Sequence, residues 1–577
     1  MSVISGGSRN TSTSSILKRI SLKTKLFTER SPTKVRFTLP HSQKVRNILQ
    51  SFAAQENRRD YESLVCLIRD SLLLDEDLTS LLSEASECIS ILNQDLRLFV
   101  EAILLIKWVD YSESVVSEYQ SFIINLLSAH NYHAKLAIDS LVYKFLPDPE
   151  EPDWENGVPN LKDLQKFVNV HCVINTLINI IPMSQELLLQ SLISNYPYLK
   201  RSSHMHEVYL HNILCILDYR PQIRGDLFHL IFSKLVLLDV NAPREDIERK
   251  ENEVEDDLFK FDDASQQTSC DKMKHNIAHT LDICLYKIFN QIMMISHESG
   301  EFNWDQTKSL YQDLLVVFDK VVLPTYNIHH VPFVMFFLCS LKPTIAEAFL
   351  NFLWRKVCNP NVPSIHRHSA VSYMASLVAR ASFVPLYMLK GTLQEMANWI
   401  FAYMATQDGH GCINTDIRIH VVFYSVCQAL FYIIAFRYKD LVNKRKDVIF
   451  LENLNLGKIV TSTLNPLRVC QPAIVQNFAS VARTYQLAYC YAVIEHNSRN
   501  IMPVIYQDDK GSVLISNNIL DSFFPFDPLV LKRSKEIIEP IYLYYKSNAE
   551  NAADDYDMVE KDDFLLYGTS PGFKHRN

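Results

Sequence analysis

The sequence predicts an all-α fold, an α-solenoid of stacked antiparallel helix pairs. Three observations carry that expectation. Apolar residues return every three or four positions over most of the chain, so each helix is apolar on one flank only. Short, proline-containing breaks separate the stripes and set successive helices side by side. Glycine is scarce, 12 of 577 residues. That is about 2% against an average of roughly 7%. Barrels, phosphate loops and doubly wound sheets need glycine at their turns.

The pattern is clearest at 331–404. An almost uncharged run at 331–341 is broken by Lys342-Pro343. Thr344 and Glu347 have the spacing of a capping box, a hydroxyl and a carboxylate answering two free helix N–H groups. Ile345, Ala348, Phe349, Phe352 and Leu353 then share one flank, with Glu347, Asn351 and Arg355 opposite. Pro360 and Pro363 end this helix. A second stripe runs through Ala370, Tyr373, Met374, Leu377, Val378 and Ala381. A third follows Pro385, through Leu386, Leu389, Leu393, Met396, Ala397, Ile400, Phe401 and Met404. One-sided helices must be covered by neighbours, and a stack of helix pairs is the simplest way to do it.

A chain this long exceeds one compact core. Its apolar share of 48% and charged share of 21% are those of a folded protein. The net charge of −8 argues for protein partners, with little or no direct DNA binding, since duplex phosphates call for a basic face. None of the twelve cysteines forms a C-x-x-C pair. Cys172, Cys215, Cys284, Cys339, Cys427 and Cys490 read as small apolar residues of a reducing compartment. No apolar leader opens the sequence. The longest uncharged run, 421–436, is shorter than the ~20 residues that span a bilayer and reads as a core helix.

Five segments follow in order. Residues 1–42 form a basic arm rich in Ser and Thr, expected to be disordered. Its composition suits a nuclear import signal, a mitochondrial transit peptide or a solvated tail. Ser31-Pro32 within it has the shape of a proline-directed kinase site, and Lys34-Val35-Arg36-Phe37 that of a short phosphatase-docking strand. Residues 43–243 are helical repeats. Here Ser80, Ser83, Ser86 and Ser90, at steps of 3, 3 and 4, share a helix face about 120° wide. Ser114, Ser117 and Ser121 share a narrower face of the next helix but one. Serine is a mediocre helix former, so such stripes are unusual, although a solvated face explains them too. The proline-rich acidic stretch 147–159 reads as a loop. His204 and His206 lack further ligands at usable spacing and read as surface histidines.

Residues 244–275 begin with ten acids against four bases up to Asp263 and read as an acidic disordered insertion, with Ser265, Thr268 and Ser269 as acid-flanked phosphosites. Residues 276–546 resume the repeats. At most one small β-hairpin is expected, near 503–516, where two apolar runs flank a glycine-containing loop. Phe523, Phe524 and Phe526 with Pro525 and Pro528 form a proline-locked wedge on the last helices. Residues 547–577 are a loose acidic tail.

No phosphate-binding, dinucleotide, zinc-protease or nucleophile-elbow motif occurs. Asp408, His410 and Cys412 lie in a glycine-rich polar loop and read as structural. Nothing assembles a nucleophile, a base and an oxyanion site. The expectation is a protein that is not an enzyme, with no cofactor, no metal and no membrane.

Several stretches resemble the RNA polymerase I-specific transcription initiation factor family, the TIF-IA type. They are Phe-Asp-Lys-Val-Val-Leu-Pro at 318–324, Phe-Phe-Leu-Cys-Ser-Leu-Lys at 336–342, Ala-Glu-Ala-Phe-Leu at 346–350, Leu-Val-Ala-Arg-Ala-Ser-Phe-Val-Pro at 377–385 and Leu-Asn-Pro-Leu at 464–467. Leu-Asp-Ser-Phe-Phe-Pro-Phe-Asp-Pro at 520–528, running into Leu-Lys-Arg-Ser at 531–534, is the most specific. Asp-Val-Asn-Ala at 239–242 and the Ser31-Pro32 region also match.

The resemblance implies a HEAT-repeat solenoid and a non-catalytic bridge. One surface would bind RNA polymerase I near its stalk, and another would meet subunits of the promoter-bound selectivity complex. It implies control by protein kinases and phosphatases and a nuclear, nucleolar address, against the mitochondrial reading of the arm. It is compatible with a homodimer when free. The polymerase-binding serine face would comprise Ser80, Ser83, Ser86, Ser90, Ser112, Ser114, Ser117 and Ser121. A family segment linked to the selectivity complex corresponds to 377–382, which leaves Arg380 and Ser382 as contacts; Ser382 stands where the family has lysine. Ser31 and Ser570 are the regulatory phosphosite candidates. From solenoid physics alone, a generic scaffold or transport adaptor fits equally well.

Overall fold

The computed structural model describes residues 44–545, apart from 71–72, 149–151, 155–156, 253–271, 408–414, 500–503, 508–512, 517–518 and 522. The described chain is a succession of helices in two compact units. The first takes Met1–Leu141 and Val168–Leu188, the second Val142–Phe167 and Leu189–Asn577. The basic arm with Ser31, the phosphosites at 265–269, the Asp408–Cys412 loop and the tail with Ser570 lie outside the described residues.

In the first unit α1 (Val45–Ala53), α2 (Arg58–Asp70), α3 (Asp75–Glu87), α4 (Arg97–Leu104) and α5 (Glu113–Ala129) follow one another. α1 packs on α3, α2 on α4, and α3 on α5. Buried polar groups tie the turns. Tyr61 Oη accepts the Phe99 N–H at 3.1 Å, and the His133 ring meets the Leu92 carbonyl at 3.1 Å. Trp108 and Tyr119 stack with centroids 4.8 Å apart. After α6 (Ala134–Tyr143) come α7 (Leu161–Ile180) and α8 (Ser184–Asn195).

The second unit holds α9 (Ser203–Tyr219), α10 (Arg224–Val240), α11 (Arg244–Asn252), α12 (Asn276–Ser296) and α13 (Trp304–Val317). A π-turn, Phe318–Val322, ends α13 and sets Phe318 edge-on to Phe349 and Tyr373. Then follow α14 (Phe333–Ser340), α15 (Pro343–Cys358), α16 (Ser364–Arg380), α17 (Leu386–Gln407), α18 (Ile417–Phe436), α19 (Tyr438–Leu441) and α20 (Arg445–Asn453). The series closes with α21 (Leu456–Val460), α22 (Pro466–Val469), α23 (Pro472–Thr484), α24 (Cys490–Arg499) and α25 (Lys532–Ile538). α18 passes the length and hydropathy test for a membrane span, yet 89% of its apolar window is buried inside the protein. It is a core helix, as expected.

Several details differ from the sequence reading. α11 stands where the acidic insertion was expected to begin. Its Ile247 is buried, and the i,i+4 pair Arg244–Glu248 lies at 2.7 Å. One apolar anchor and alternating charge suffice for a helix docked on a neighbour. Lys342, not Thr344, caps α15: Pro343 occupies the first helical position, where its fixed φ and missing N–H cost nothing. On α15 the buried flank is Ile345, Ala346, Phe349, Leu350, Leu353 and Val357, with Ala348 exposed. α14 and α16 cover it from two sides and rotate the face. α16 is not one-sided at its end: residues 370–381 are all buried. His204 and His206 are buried, not on the surface. The Trp154 indole covers His204 edge-on at 5.5 Å and donates to Asp163 Oδ2 at 2.7 Å. Cys172 is exposed and Cys215 half-buried.

The expected hairpin is present as β3 (Val504–Gln507) paired antiparallel with β4 (Val513–Ser516). A second, two-residue hairpin exceeds the expectation. It joins β1 (His297–Glu298) to β2 (Glu301–Phe302). Ser299 and Gly300 turn it with positive φ, a geometry that favours Gly and small polar residues.

The aromatic wedge packs on central helices of the second unit, not on the last ones. Phe526 is fully buried, 5.6 Å from Phe333, 5.1 Å from Phe336 and 5.8 Å from Tyr373. Phe524 stacks on Tyr432 at 4.6 Å. The Phe526 N–H donates to Ser376 Oγ, and Tyr542 Oη donates to the Phe526 carbonyl.

Two buried carboxylates pin distant segments to this core. Asp239, at the end of α10, accepts the N–H groups of His329, His330 and Val331 and pairs with His330 Nδ1 at 2.8 Å. Burial alone would raise its pKa. The His330 ring and the backbone donors outweigh that and hold it below the usual carboxylate range. Asp282, on α12, accepts the N–H groups of Arg533 and Ser534 and the Ser534 hydroxyl. It thereby caps α25, whose own Leu531 cannot.

Replacing Asp239 by Ala strands three backbone donors and should cost about 3–5 kcal/mol, read as a lower urea midpoint at unchanged slope. A second outcome concerns pH. Burial lowers His206, His211 and His329 to about 4. Unfolded imidazole takes its proton near 6.5, so the unfolded chain binds more protons between the two values. Stability should therefore fall as pH drops from about 6.5 to about 4. Thermal melts across that range check it, and an unchanged midpoint would contradict these burials.

Candidate functional site

The serine stripes lie on α3 and α5, which pack against each other in the first unit. Leu78, Leu81, Leu82 and Ala85 turn one flank of α3 inward, which leaves Ser80 and Ser83 outward. Val115, Val116, Tyr119, Phe122 and Ile123 do the same on α5 and leave Ser114, Ser117 and Ser121 exposed. Three acids, Asp75, Glu76 and Asp77, fill the first turn of α3. They suit the positive end of the helix dipole where the Leu74 cap offers no side chain.

Between the two helices runs an open groove of about 510 Å³, lined by Asp75, Glu76, Thr79, Ser80, Ser83, Glu84 and Ser114. Its carboxylates are partly engaged by the scaffold. Asp75 Oδ2 accepts the Ser112 N–H at 3.2 Å, tying the start of α3 to the start of α5. Glu84 Oε2 accepts the Val45 N–H at 2.7 Å and holds α1. Ser112 caps α5 by backbone alone, and its hydroxyl lies 3.1 Å from that of Ser114. Burial and the Asp75 charge push the Tyr111 phenol up, so it stays protonated and donates to the Leu73 carbonyl.

The groove thus gathers Ser80, Ser83 and Ser114. Ser112, Ser117 and Ser121 continue the exposed face along α5; Ser86 is half-buried, and Ser90 sits exposed in a 3₁₀ turn, Ile89–Ile91. Thr79 and the acids Asp75, Glu76 and Glu84 escaped the sequence reading. The signal was available: acids at i±4 from Ser80 mark the same helix face.

The second expected site is different. Ser382 is exposed, but Arg380 is fully buried. Its guanidinium lies over the rings of Phe436 and Tyr542, 4.7 and 5.6 Å from their centroids, and 3.5 Å from Asp527 Oδ1. The Arg380 carbonyl accepts the Leu543 N–H, and the Ser382 N–H donates to the Ile541 carbonyl. In this structure Arg380 is therefore no surface contact. It clasps the 541–543 segment and the wedge aspartate, because the 370–381 stretch is enclosed on every side.

Among the described residues no group of three or more His, Cys, Asp or Glu could hold a metal ion. The groove carries hydroxyls and carboxylates without a base aimed at a nucleophile. What it can do is accept hydrogen bonds and respond to added charge.

Residues 40–550 match the family model of the RNA polymerase I specific transcription initiation factor RRN3. The chain belongs to the RNA polymerase I-specific transcription initiation factor family. Its relatives include a Mus musculus protein of that name, RRN3, 34% identical over 550 residues, covering 89% of this chain and 83% of the relative. The Schizosaccharomyces pombe initiation factor rrn3 is 25% identical over 564 residues, covering 91% and 88%. A crystal structure of the RNA polymerase I transcription initiation factor Rrn3 shares the helical-repeat fold, with TM-score 0.68 at 20% identity over 88% of this chain and 99% of that one. Membership in this initiation-factor family carries a nuclear, non-catalytic role.

The Arg380–Asp527 pair makes a specific forecast. Arg380→Met takes one cation from the buried Asp527 carboxylate, which keeps the Arg244 charge beside it, and should cost about 3 kcal/mol. The double change Arg380→Met with Asp527→Leu should recover most of that. Denaturant melts of the unmodified protein, Arg380→Met, Asp527→Leu and the double change decide it; additive single changes would contradict the pairing.

Proposed function

We infer that this chain binds RNA polymerase I through the α3–α5 serine face and bridges it to the promoter-bound selectivity complex. The observation that carries the reading is that hydroxyls from two helices, separated in sequence by a third, converge on one groove flanked by carboxylates. Neutral serines present small hydrogen-bonding groups on a rigid surface. A phosphate adds about −1.5 to −2 charge, and here it would stand beside Asp75, Glu76 and Glu84. Like charges repel by about 1 kcal/mol per unit pair at 4 Å in water. Modification would thus turn a dockable face into one that repels an acidic partner and binds its own water tightly. Kinases and phosphatases would act as the switch, with the nucleolus as the site of action.

The contact with selectivity-complex subunits falls on the exposed rim beside Ser382, with Arg380 acting from beneath through the 541–543 segment it holds. Self-association of the free chain through the same face would compete with polymerase. Family membership leaves the generic adaptor reading without an observation of its own.

The test is co-purification with RNA polymerase I from extract. Ser80→Asp, Ser83→Asp and Ser114→Asp together should reduce recovery about tenfold, equal to ~1.4 kcal/mol. The three Ala changes should stay within about twofold. Equal recovery of the Asp and unmodified proteins would place the docking face elsewhere.

A further inference from the structure

One end of the second unit is crowded with cations that the serine groove does not use; within the fold Lys439 lies over the Tyr438 ring at 5.8 Å, and Lys444 stands beside Asp447. Lys439, Lys444, Arg445 and Lys446 are all exposed within eight residues of chain. The acids among and beside them are committed. Asp440 is bound to Arg437 Nε, and Asp447 is buried against Lys390. Arg445 and Lys446 stand in the first turn of α20, where the helix dipole favours anions, so helix stability does not explain them.

The same end is where the described chain stops. Arg437 Nη1 donates to the carbonyls of Val378 and Ala381, which fixes the end of α18 beside the end of α16. Lys390, in the first turns of α17, reaches Asp447 on α20. The Tyr545 ring lies 5.5 Å from that of Phe436, and the basic stretch begins three residues after Phe436. The sequence that continues from Tyr545 carries Asp554, Asp555, Asp557, Glu560, Asp562 and Asp563, with Lys561 the single base among them. Nine residues of extended chain reach ~30 Å, enough to bring these acids over a patch that starts beside their anchor.

We propose that this basic corner is a binding surface for the chain's own acidic segment 554–563. The tail occupies it in cis, screens its four cations and keeps other polyanions off it. The interaction is electrostatic and solvent-exposed, so it weakens with salt.

Zero-length carbodiimide coupling of the full chain tests this, with heavy- and light-isotope protein mixed. Amide cross-links should join tail carboxylates to Lys439, Lys444 or Lys446 within one molecule, and 0.5 M salt should suppress them. A full-length variant with Asp554, Asp555, Asp557, Asp562 and Asp563 changed to Asn, and Glu560→Gln, should acylate those lysines at least threefold faster, while exposed Lys135 stays unchanged. Equal reactivity in the two proteins overturns the proposal. So do cross-links found only between heavy and light molecules, which assign the patch to a second copy. Shielding of the lysines by duplex DNA with no effect of the tail changes assigns it to nucleic acid and overturns it as well.

Discussion

Each helix of the array has an apolar flank that must be hidden, and hiding it decides everything that remains visible. Leu78, Leu81, Leu82 and Ala85 draw α3 inward, and that rotation alone presents Ser80 and Ser83 to solvent. The same holds for α5. A surface produced in this way is rigid, because moving a serine means unpacking the leucines behind it. Small hydroxyls on a stiff support lose little conformational freedom on docking, which favours binding by pre-organisation.

Buried charge does the remaining organising. Hydrophobic flanks specify that helices stack, but apolar contact alone does not decide which distant segments meet. Asp239, Asp282 and the Arg380–Asp527 pair do not tolerate sliding, since each buried carboxylate would lose donors it cannot replace. All three join segments remote in sequence, and two of them hold the C-terminal stretch on the core. The wedge aromatics contribute burial, and the carboxylates fix where that burial occurs.

Much of this was legible from residue spacing. The helices between 331 and 404, the core nature of α18 and the hairpin near 503–516 all follow from period, proline and glycine. The serine stripes were visible for the same reason: serine is rare enough on helix flanks to stand out. What spacing could not reveal were tertiary partners. Arg380 looks like a surface cation because arginine is usually exposed; only the arrival of Asp527, Phe436 and Tyr542 makes its burial possible. His204 and His206 mislead similarly, the first covered by a tryptophan fifty residues away and the second set against Tyr196 and the Tyr198 carbonyl. α11 was hidden by its charge, which outweighed its single apolar anchor. The acids of the groove were overlooked because carboxylates on a helix face ordinarily signify nothing but solvation.

The proposal to be tested is that the chain offers the outward side of α3 and α5 to the polymerase. Hydrogen–deuterium exchange of the chain, free and in complex with RNA polymerase I, reads this directly. The account predicts slowed exchange concentrated at 75–90 and 112–121 on complex formation. Protection confined to other helices, with these two segments exchanging as in the free protein, would contradict it.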